Sequence, residues 1–274
     1  MRQTAAYDSY AGWYEEFRDP RSEYGQRVSD VIRDLLGPGR GTCLDVCCGG
    51  GACAAQVSEL GWTPLGVDLS AGQLRYAASR LPAVQADAAA LPLPDRSMDA
   101  AICVLAHTDQ PDYAAALREM ARVLRPGGRF VHVGVHPCFV GVHADRRDLQ
   151  QVKIYERYAS RARSFDGWMP EGVVVRVGAW HLPLAPLLNA VLDAGFRVVR
   201  TVETGPAIPG EFSLLALKPS GIWLLLSCTA CGVVFPACSG LPGLGPAAHR
   251  APCGPGQAVL PVRRVMARVA VCRG

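Results

Sequence analysis

No aspartate or glutamate follows Glu211 in this chain of 274 residues, although Arg250, Arg263, Arg264, Arg268 and Arg273 lie in its last 25. Setting those five aside leaves 23 basic against 24 acidic residues over residues 1–219, a net charge of −1. The overall +4 therefore belongs to the tail and gives no argument for a basic nucleic-acid-binding face on the body, so no nucleic-acid partner is expected. The opening stretch MRQTAAYDSYAGWYEEF lacks a basic segment followed by an apolar one, so secretion is not expected and a cytoplasmic location is. Disulfides are then disfavoured despite eleven cysteines. Six of them, Cys43, Cys47, Cys48, Cys53, Cys103 and Cys138, lie mostly in or beside apolar runs, where cysteine behaves as a small hydrophobe. The G-x-G-x-x-G of a dinucleotide loop is missing too, because Cys47, Gly49 and Ala52 occupy its three glycine positions.

What is present from residue 40 onward is an alternation of strand and helix. GTCLDVC (41–47), TPLGVDLS (63–70), AVQAD (83–87), MDAAICVLAH (98–107) and RFVHVGV (129–135) read as strands, the fourth nearly all apolar. Such runs suit parallel strands buried on both faces. ACAAQVSELG (52–61), stopped by Gly61, AGQLRYAASR (71–80), capped by Ser70, and DYAAALREMARVLRPGG (112–128) read as helices. LAPLLNAVLDAGF (184–196) is a further helix, and RVVRTVET and EFSLLALK add two more strands. Seven strands separated by helices imply a doubly wound, mostly parallel α/β sheet with helices on both faces. Right-handed crossovers place its ligand at the carboxyl ends of the strands. CCGGG (47–51) opens at that edge, where glycines let backbone approach a ligand closely.

Four segments in register carry a resemblance: LDVCCGGG, GVDLS, QADAAALPLPDRSMDAAICV and LREMARVLRPGGRF. Together they resemble the class I S-adenosylmethionine-dependent methyltransferases, in the small-molecule branch that includes ubiquinone- and menaquinone-type enzymes. The resemblance covers about residues 5–218 and implies a seven-stranded Rossmann-like sheet, S-adenosylmethionine as cofactor and a small organic acceptor. It further implies that Asp45, Cys47, Gly49 and Gly51 shape the loop under the methionine part. Asp68, followed by Leu69, would accept from the ribose hydroxyls, and Asp87 with the backbone of Ala88 would meet the adenine. Cys47 stands where glycine is commoner, Gly50 where threonine or serine is usual, and Met98 replaces a common aromatic. No metal is expected, since adjacent cysteines are poor partners on one tetrahedral ion.

The acceptor side is less defined. Tyr7, Tyr10, Tyr14 and Phe17 recur at three and four, giving an opening helix one aromatic face, with Tyr14 as a candidate cofactor contact. Residues 137–181 are expected to be a substrate cover, aromatic and arginine-rich, with DLQQVKIYERYASRAR as a solvated helix face. Histidine is the natural base for a hydroxyl near neutral pH. His136 and His107, which end two strands, are the candidates; His132, inside a strand, is set aside. His143, Trp168 and His181 are candidate substrate contacts. The expected chemistry is O-methylation with a histidine base; the alternatives are a non-catalytic S-adenosylmethionine-binding protein or a nicotinamide-dependent reductase. Residues 219–274 break the pattern and read as a low-complexity, disordered extension. A membrane-associated segment at Gly221–Cys238, and a zinc site from Cys228, Cys231, Cys238 and Cys253 or His249, are the other readings of the tail.

Overall fold

The computed structural model describes residues 5–148, 150–220, 224–227 and 234–237. Along the chain the helices are α1 (Ala11–Phe17), α2 (Glu23–Leu36), α3 (Ala54–Glu59), α4 (Ala71–Ala77), α5 (Tyr113–Val123), α6 (Val173–Val177) and α7 (Leu184–Asp193). The strands are β1 (Thr42–Val46), β2 (Thr63–Asp68), β3 (Ala83–Gln85), β4 (Met98–Val104), β5 (Leu124–Val135), β6 (Ala144–Asp145), β7 (Lys153–Ile154), β8 (Arg197–Thr204) and β9 (Glu211–Leu217). Two more, β10 (Leu224–Ser227) and β11 (Val234–Ala237), follow.

Seven strands form one sheet in the order β3-β2-β1-β4-β5-β9-β8. The pairings from β3 to β5 are all parallel, and β9 runs antiparallel to both β5 and β8. The order reverses at β1, so the crevice beyond its carboxyl end lies between β1 and β4. Both faces of the sheet are covered. Leu44, Val46, Ala101 and Phe130 pack with Leu117 and Met120 of α5 and Leu187 of α7. On the other face Ile102, Val131 and Val133 pack with Val28, Ile32 and Leu36 of α2. Period-two alternation along each strand sorts these residues to the two faces.

Several boundaries differ from the sequence reading, for local reasons. β4 stops at Val104 rather than at 107, because Leu105 turns to φ 56° and a 3₁₀ turn over His107–Asp109 follows. α5 stops at Val123, because Pro126 cannot join a helix and Leu124 is already extended. α3 and α4 are shorter than drawn, although Ser70 does cap α4 by accepting from Gln73 N–H at 3.1 Å. DLQQVKIYERYASRAR is not an α-helix: its described residues hold β7 and a 3₁₀ turn over Glu156–Ala159.

The chain divides into two compact units, residues 1–223 and 224–274. In the second, β10 and β11 pair antiparallel, with Leu224 opposite Ala237 and Ser227 opposite Val234. The rest of the proposed disordered tail lies outside the described residues, as do Cys228, Cys231, Cys238, His249 and Cys253. Among the described residues no helix is long and apolar enough to cross a membrane. Because β9 completes the seven-stranded sheet, a chain ended after Ser220 is expected to melt cooperatively and to bind S-adenosylhomocysteine like the full chain. Loss of cooperative melting, read by calorimetry, would move the boundary beyond Ser220.

Candidate functional site

The loop after β1 is held by its own backbone. Cys48 N–H donates to Val67 C=O at 3.0 Å and Gly51 N–H to Cys48 C=O at 2.8 Å. Cys47 and Gly49 sit at φ 59° and 53°, and Gly51 at φ 77°. A side chain at Gly51 would meet Leu81 Cδ2 at 2.4 Å, so this glycine permits the loop to close on the segment after α4. Positive φ at Cys47 is unusual for a residue with a Cβ. Its thiol accepts from Gln110 Nε2 at 3.2 Å.

Two carboxylates flank the loop. Asp68, at the end of β2, accepts from Gly49 N–H through Oδ2 and from Ser70 N–H through Oδ1, both at 2.8 Å. Each oxygen keeps one acceptor site for a ligand. Burial pushes the Asp68 carboxyl above its ordinary range, against those two hydrogen bonds. Asp45, on β1, is buried and its Oδ2 has no partner. Burial pushes its carboxyl up to about 7.

That shift fixes a sign. A carboxylate whose folded pKa is raised holds a proton in the native state that the unfolded chain has lost, so stability falls as pH rises between about 4 and 7. Asp45→Asn is therefore expected to raise the melting temperature of the cofactor-free protein at pH 8, with the difference vanishing near pH 4. Equal melting temperatures at pH 8 would show that Asp45 carries no such penalty.

A cavity of about 130 Å³ lies over these groups, lined by Asp45, Cys47, Gly49, Asp68, Leu69 and Tyr14 from the sequence expectation. Gly51, Asp87 and Ala88 do not line it. Gly51 acts in the loop as described, Ala88 is in the core, and exposed Asp87 accepts from Ala89 N–H at 2.8 Å. Sequence reasoning missed Gln73, Asp109 and Arg18, which do line it. Gln73 is 1% exposed and neither amide atom has a partner. Asp109 accepts from Tyr7 O–H at 3.2 Å, and burial, with help from Asp68, pushes its carboxyl up to about 7.

A second cavity, about 680 Å³, lies under the 137–181 cover and is lined largely by apolar and aromatic groups, among them Val28, Val140, Trp168 and Met169. Tyr7, Tyr14, Arg18, Leu105, Asp109 and Trp180 line both cavities, so the two spaces meet. The cover is tied down there, since Trp180 N–H donates to Thr108 C=O at 2.7 Å. The expected opening helix is a 3₁₀ turn over Asp8–Tyr10 followed by α1, and Tyr7, Tyr14 and Phe17 of its aromatic stripe line the large cavity. Tyr7 and Tyr14 pair edge-on at 5.1 Å against the cavities, while Trp13 stacks on Phe17 at 4.8 Å.

The histidines separate as well. His107 is buried and lines the large cavity; burial pushes it down to about 4, so it is neutral at pH 7. His181 lines it too, also pushed down to about 4 by burial. His143 lies behind His181, ring centroids 4.4 Å apart, and donates from Nε2 to Cys138 C=O at 3.1 Å. Trp168 lines the cavity and is 41% exposed. His136 lines neither cavity. Its Nδ1 accepts from Cys138 N–H at 3.1 Å, which leaves the proton on Nε2, 2.6 Å from Glu203 Oε1. Both of its nitrogens are thus engaged away from the crevice. Among the described residues no three His, Cys, Asp or Glu side chains could hold a metal ion.

The site fits S-adenosylmethionine on its own chemistry. Asp68 retains acceptor sites for a pair of hydroxyls, and the unpartnered Asp45 Oδ2 and Gln73 amide require polar partners. Ligand pockets run to roughly 300–1,000 Å³, so the small cavity takes part of a cofactor and its junction with the large one accommodates the rest.

Comparison with known proteins agrees. Residues 44–132 match the family model described as a methyltransferase domain. A demethylmenaquinone methyltransferase of Corynebacterium kroppenstedtii is 33% identical over 146 residues, 49% of this chain and 64% of that protein. Methyltransferase GfsG of Streptomyces halstedii is 37% identical over 122 residues, 40% of this chain and 44% of that one. The chain thus spans less than two thirds of the length of either relative. An S-adenosylmethionine-dependent methyltransferase structure from Mesorhizobium loti superposes with a TM-score of 0.58 at 23% identity, covering 72% of this chain and 99% of that one. Residues 44–132 thus carry a methyltransferase domain, and the strand order, with an acid closing β2 beside the glycine loop, gives the chain a fold similar to that of the S-adenosylmethionine-dependent methyltransferases.

Proposed function

We propose that this chain transfers a methyl group from S-adenosylmethionine to a hydroxyl of a small, partly apolar organic acceptor, with His107 as general base. The observation that carries this reading is the shared wall: Tyr14, Asp109 and Trp180 border both the loop cavity and the apolar one. A donor in the first and an acceptor in the second meet there, screened from water by the cover. When bound, S-adenosylmethionine supplies an electrophilic methyl on a sulfonium.

The chain's own residues do the rest. Asp68 holds the ribose hydroxyls with the acceptor sites its backbone partners leave free. Asp87 and Ala88 are proposed for the adenine end, beyond the small cavity. Asp45, Gln73 and Arg18 face the polar methionine part. Trp168 and His181 contact the acceptor, and His143 supports His181 from behind. His107, neutral at pH 7, takes the hydroxyl proton. Placement in line with the S–CH₃ bond does most of the catalysis, and the base adds about 10²–10⁴-fold. The apolar lining suits an acceptor whose body is largely apolar around the reacting hydroxyl.

The test is methyl transfer itself. The protein is incubated with methyl-labelled S-adenosylmethionine and fractionated small-molecule extracts, and products are read by mass spectrometry. A labelled, apolar O-methyl product is expected. Binding of S-adenosylhomocysteine with no labelled product from any fraction would favour a binding-only protein.

A further inference from the structure

His107 does not stand alone behind the acceptor cavity. Its Nδ1 is buried and has no partner. On the neighbouring strand β5, His132 is fully buried and its Nε2 is likewise unpartnered, while its Nδ1 lies 2.9 Å from the Tyr113 hydroxyl. The two imidazole centroids are 5.0 Å apart, with ring planes at 68°. A Cβ built on Gly134 would fall 2.5 Å from His107 Nδ1 and 2.7 Å from His132 Nε2. The two unpartnered nitrogens therefore converge on one point, and only a residue without a side chain at 134 leaves that approach open. A buried nitrogen without a partner is destabilising, and a proton shared between these two answers both.

We propose that His132, held by Tyr113, acts through His107 as a positioning residue: it accepts from His107 Nδ1–H and so leaves the lone pair of His107 Nε2 for the acceptor hydroxyl. This rests on the methyltransferase reading above. In the base-competent arrangement His132 donates from Nδ1 to the Tyr113 oxygen, His107 donates from Nδ1 toward His132 Nε2, and both rings are neutral. In the reaction the acceptor O–H breaks and its proton bonds to His107 Nε2. The oxygen forms the O–CH₃ bond as the S–CH₃ bond breaks, and the sulfur keeps that electron pair. The positive charge lost by the sulfur stays on the imidazole pair until the proton leaves to solvent with product release. Without the Tyr113 oxygen, His132 loses its acceptor and turns its proton to Nε2. That proton then faces His107 Nδ1 and places the His107 proton on Nε2, where the ring is no base.

Nitrogen-15 NMR of the histidine-labelled full chain, saturated with S-adenosylhomocysteine, reads these tautomers directly. The His107 signal is assigned by its loss in His107→Gln. The expected result is an Nδ1–H His107 in the wild type that changes to Nε2–H in Tyr113→Phe, with at least tenfold slower turnover and unchanged KM on any acceptor found by the labelled-methyl test. An Nε2–H His107 in the wild type overturns the proposal even if Tyr113→Phe does not fold. So does a tautomer that is the same in both proteins. Failure of the wild type to bind S-adenosylhomocysteine would instead overturn the methyltransferase reading, so the two failures are distinct.

Discussion

Asp68→Ala is expected to weaken S-adenosylhomocysteine binding by about 30- to 1,000-fold, or roughly 2–4 kcal/mol. The carboxylate is fixed by two backbone N–H groups at 2.8 Å, so its remaining acceptor sites are oriented before any ligand arrives. The two charge-assisted hydrogen bonds proposed from Asp68 to ribose would then be lost together. The same substitution releases Gly49 N–H, so the loop loses one of its anchors as well. Asp68→Asn keeps the shape and one acceptor oxygen, and should fall between the wild type and Ala. Calorimetric titration checks this on protein whose melting remains cooperative. Unchanged affinity in a folded Asp68→Ala protein would remove Asp68 from the site.

His107→Gln should reduce turnover by about 10²–10⁴-fold while S-adenosylhomocysteine affinity changes little. His107 lines the larger, apolar cavity and is absent from the lining of the loop cavity. The loss should therefore fall on kcat and leave cofactor binding nearly untouched. Removing His107 also lifts the cost of keeping a buried imidazole neutral. A folded pKa of about 4 means that His107 contributes stability above its unfolded pKa, lost as pH falls from about 6.5 to 4. His107→Gln should accordingly resist acid better than the wild type in that window. Full turnover in His107→Gln would reassign the base to another group on the cavity wall.

The parts of this account that were legible in the sequence are those whose signal is local. Strands β1, β2 and β4 announced themselves as apolar runs, and the glycine loop followed directly on β1. Asp45 and Asp68 were singled out by the family resemblance, and both line the loop cavity. Helix α2 went unread, although Ser22 caps it and Val28, Val31, Ile32, Leu35 and Leu36 recur at helical spacing. Its charged outer face outweighed that stripe. Gln73, Asp109 and Arg18 were invisible for a different reason. Each reaches the cavity from a separate element, and no spacing in the chain encodes that convergence.

The histidines show the same limit more sharply. His136 looked well placed at the end of β5, but its ring is held by Glu203 from β8, a partner 67 residues away. His107 was expected at a strand end and instead occupies a 3₁₀ turn, because Leu105 leaves the strand early at φ 56°. His132 was set aside for lying inside a strand. Its position is what brings it beside His107, since parallel pairing of β4 with β5 sets Val104 opposite Val133. In the cover, charge alternation suggested a helix face where the structure has short strands and turns.

Cofactor choice by the whole 274-residue chain is the most direct test. Titration with S-adenosylhomocysteine and, separately, with NADH measures it in one calorimeter. S-adenosylhomocysteine should bind with one site per chain and NADH should give no binding heat, because the loop lacks the glycines at 47 and 52 that a dinucleotide needs. Binding of NADH with none of S-adenosylhomocysteine would contradict the assignment at its root.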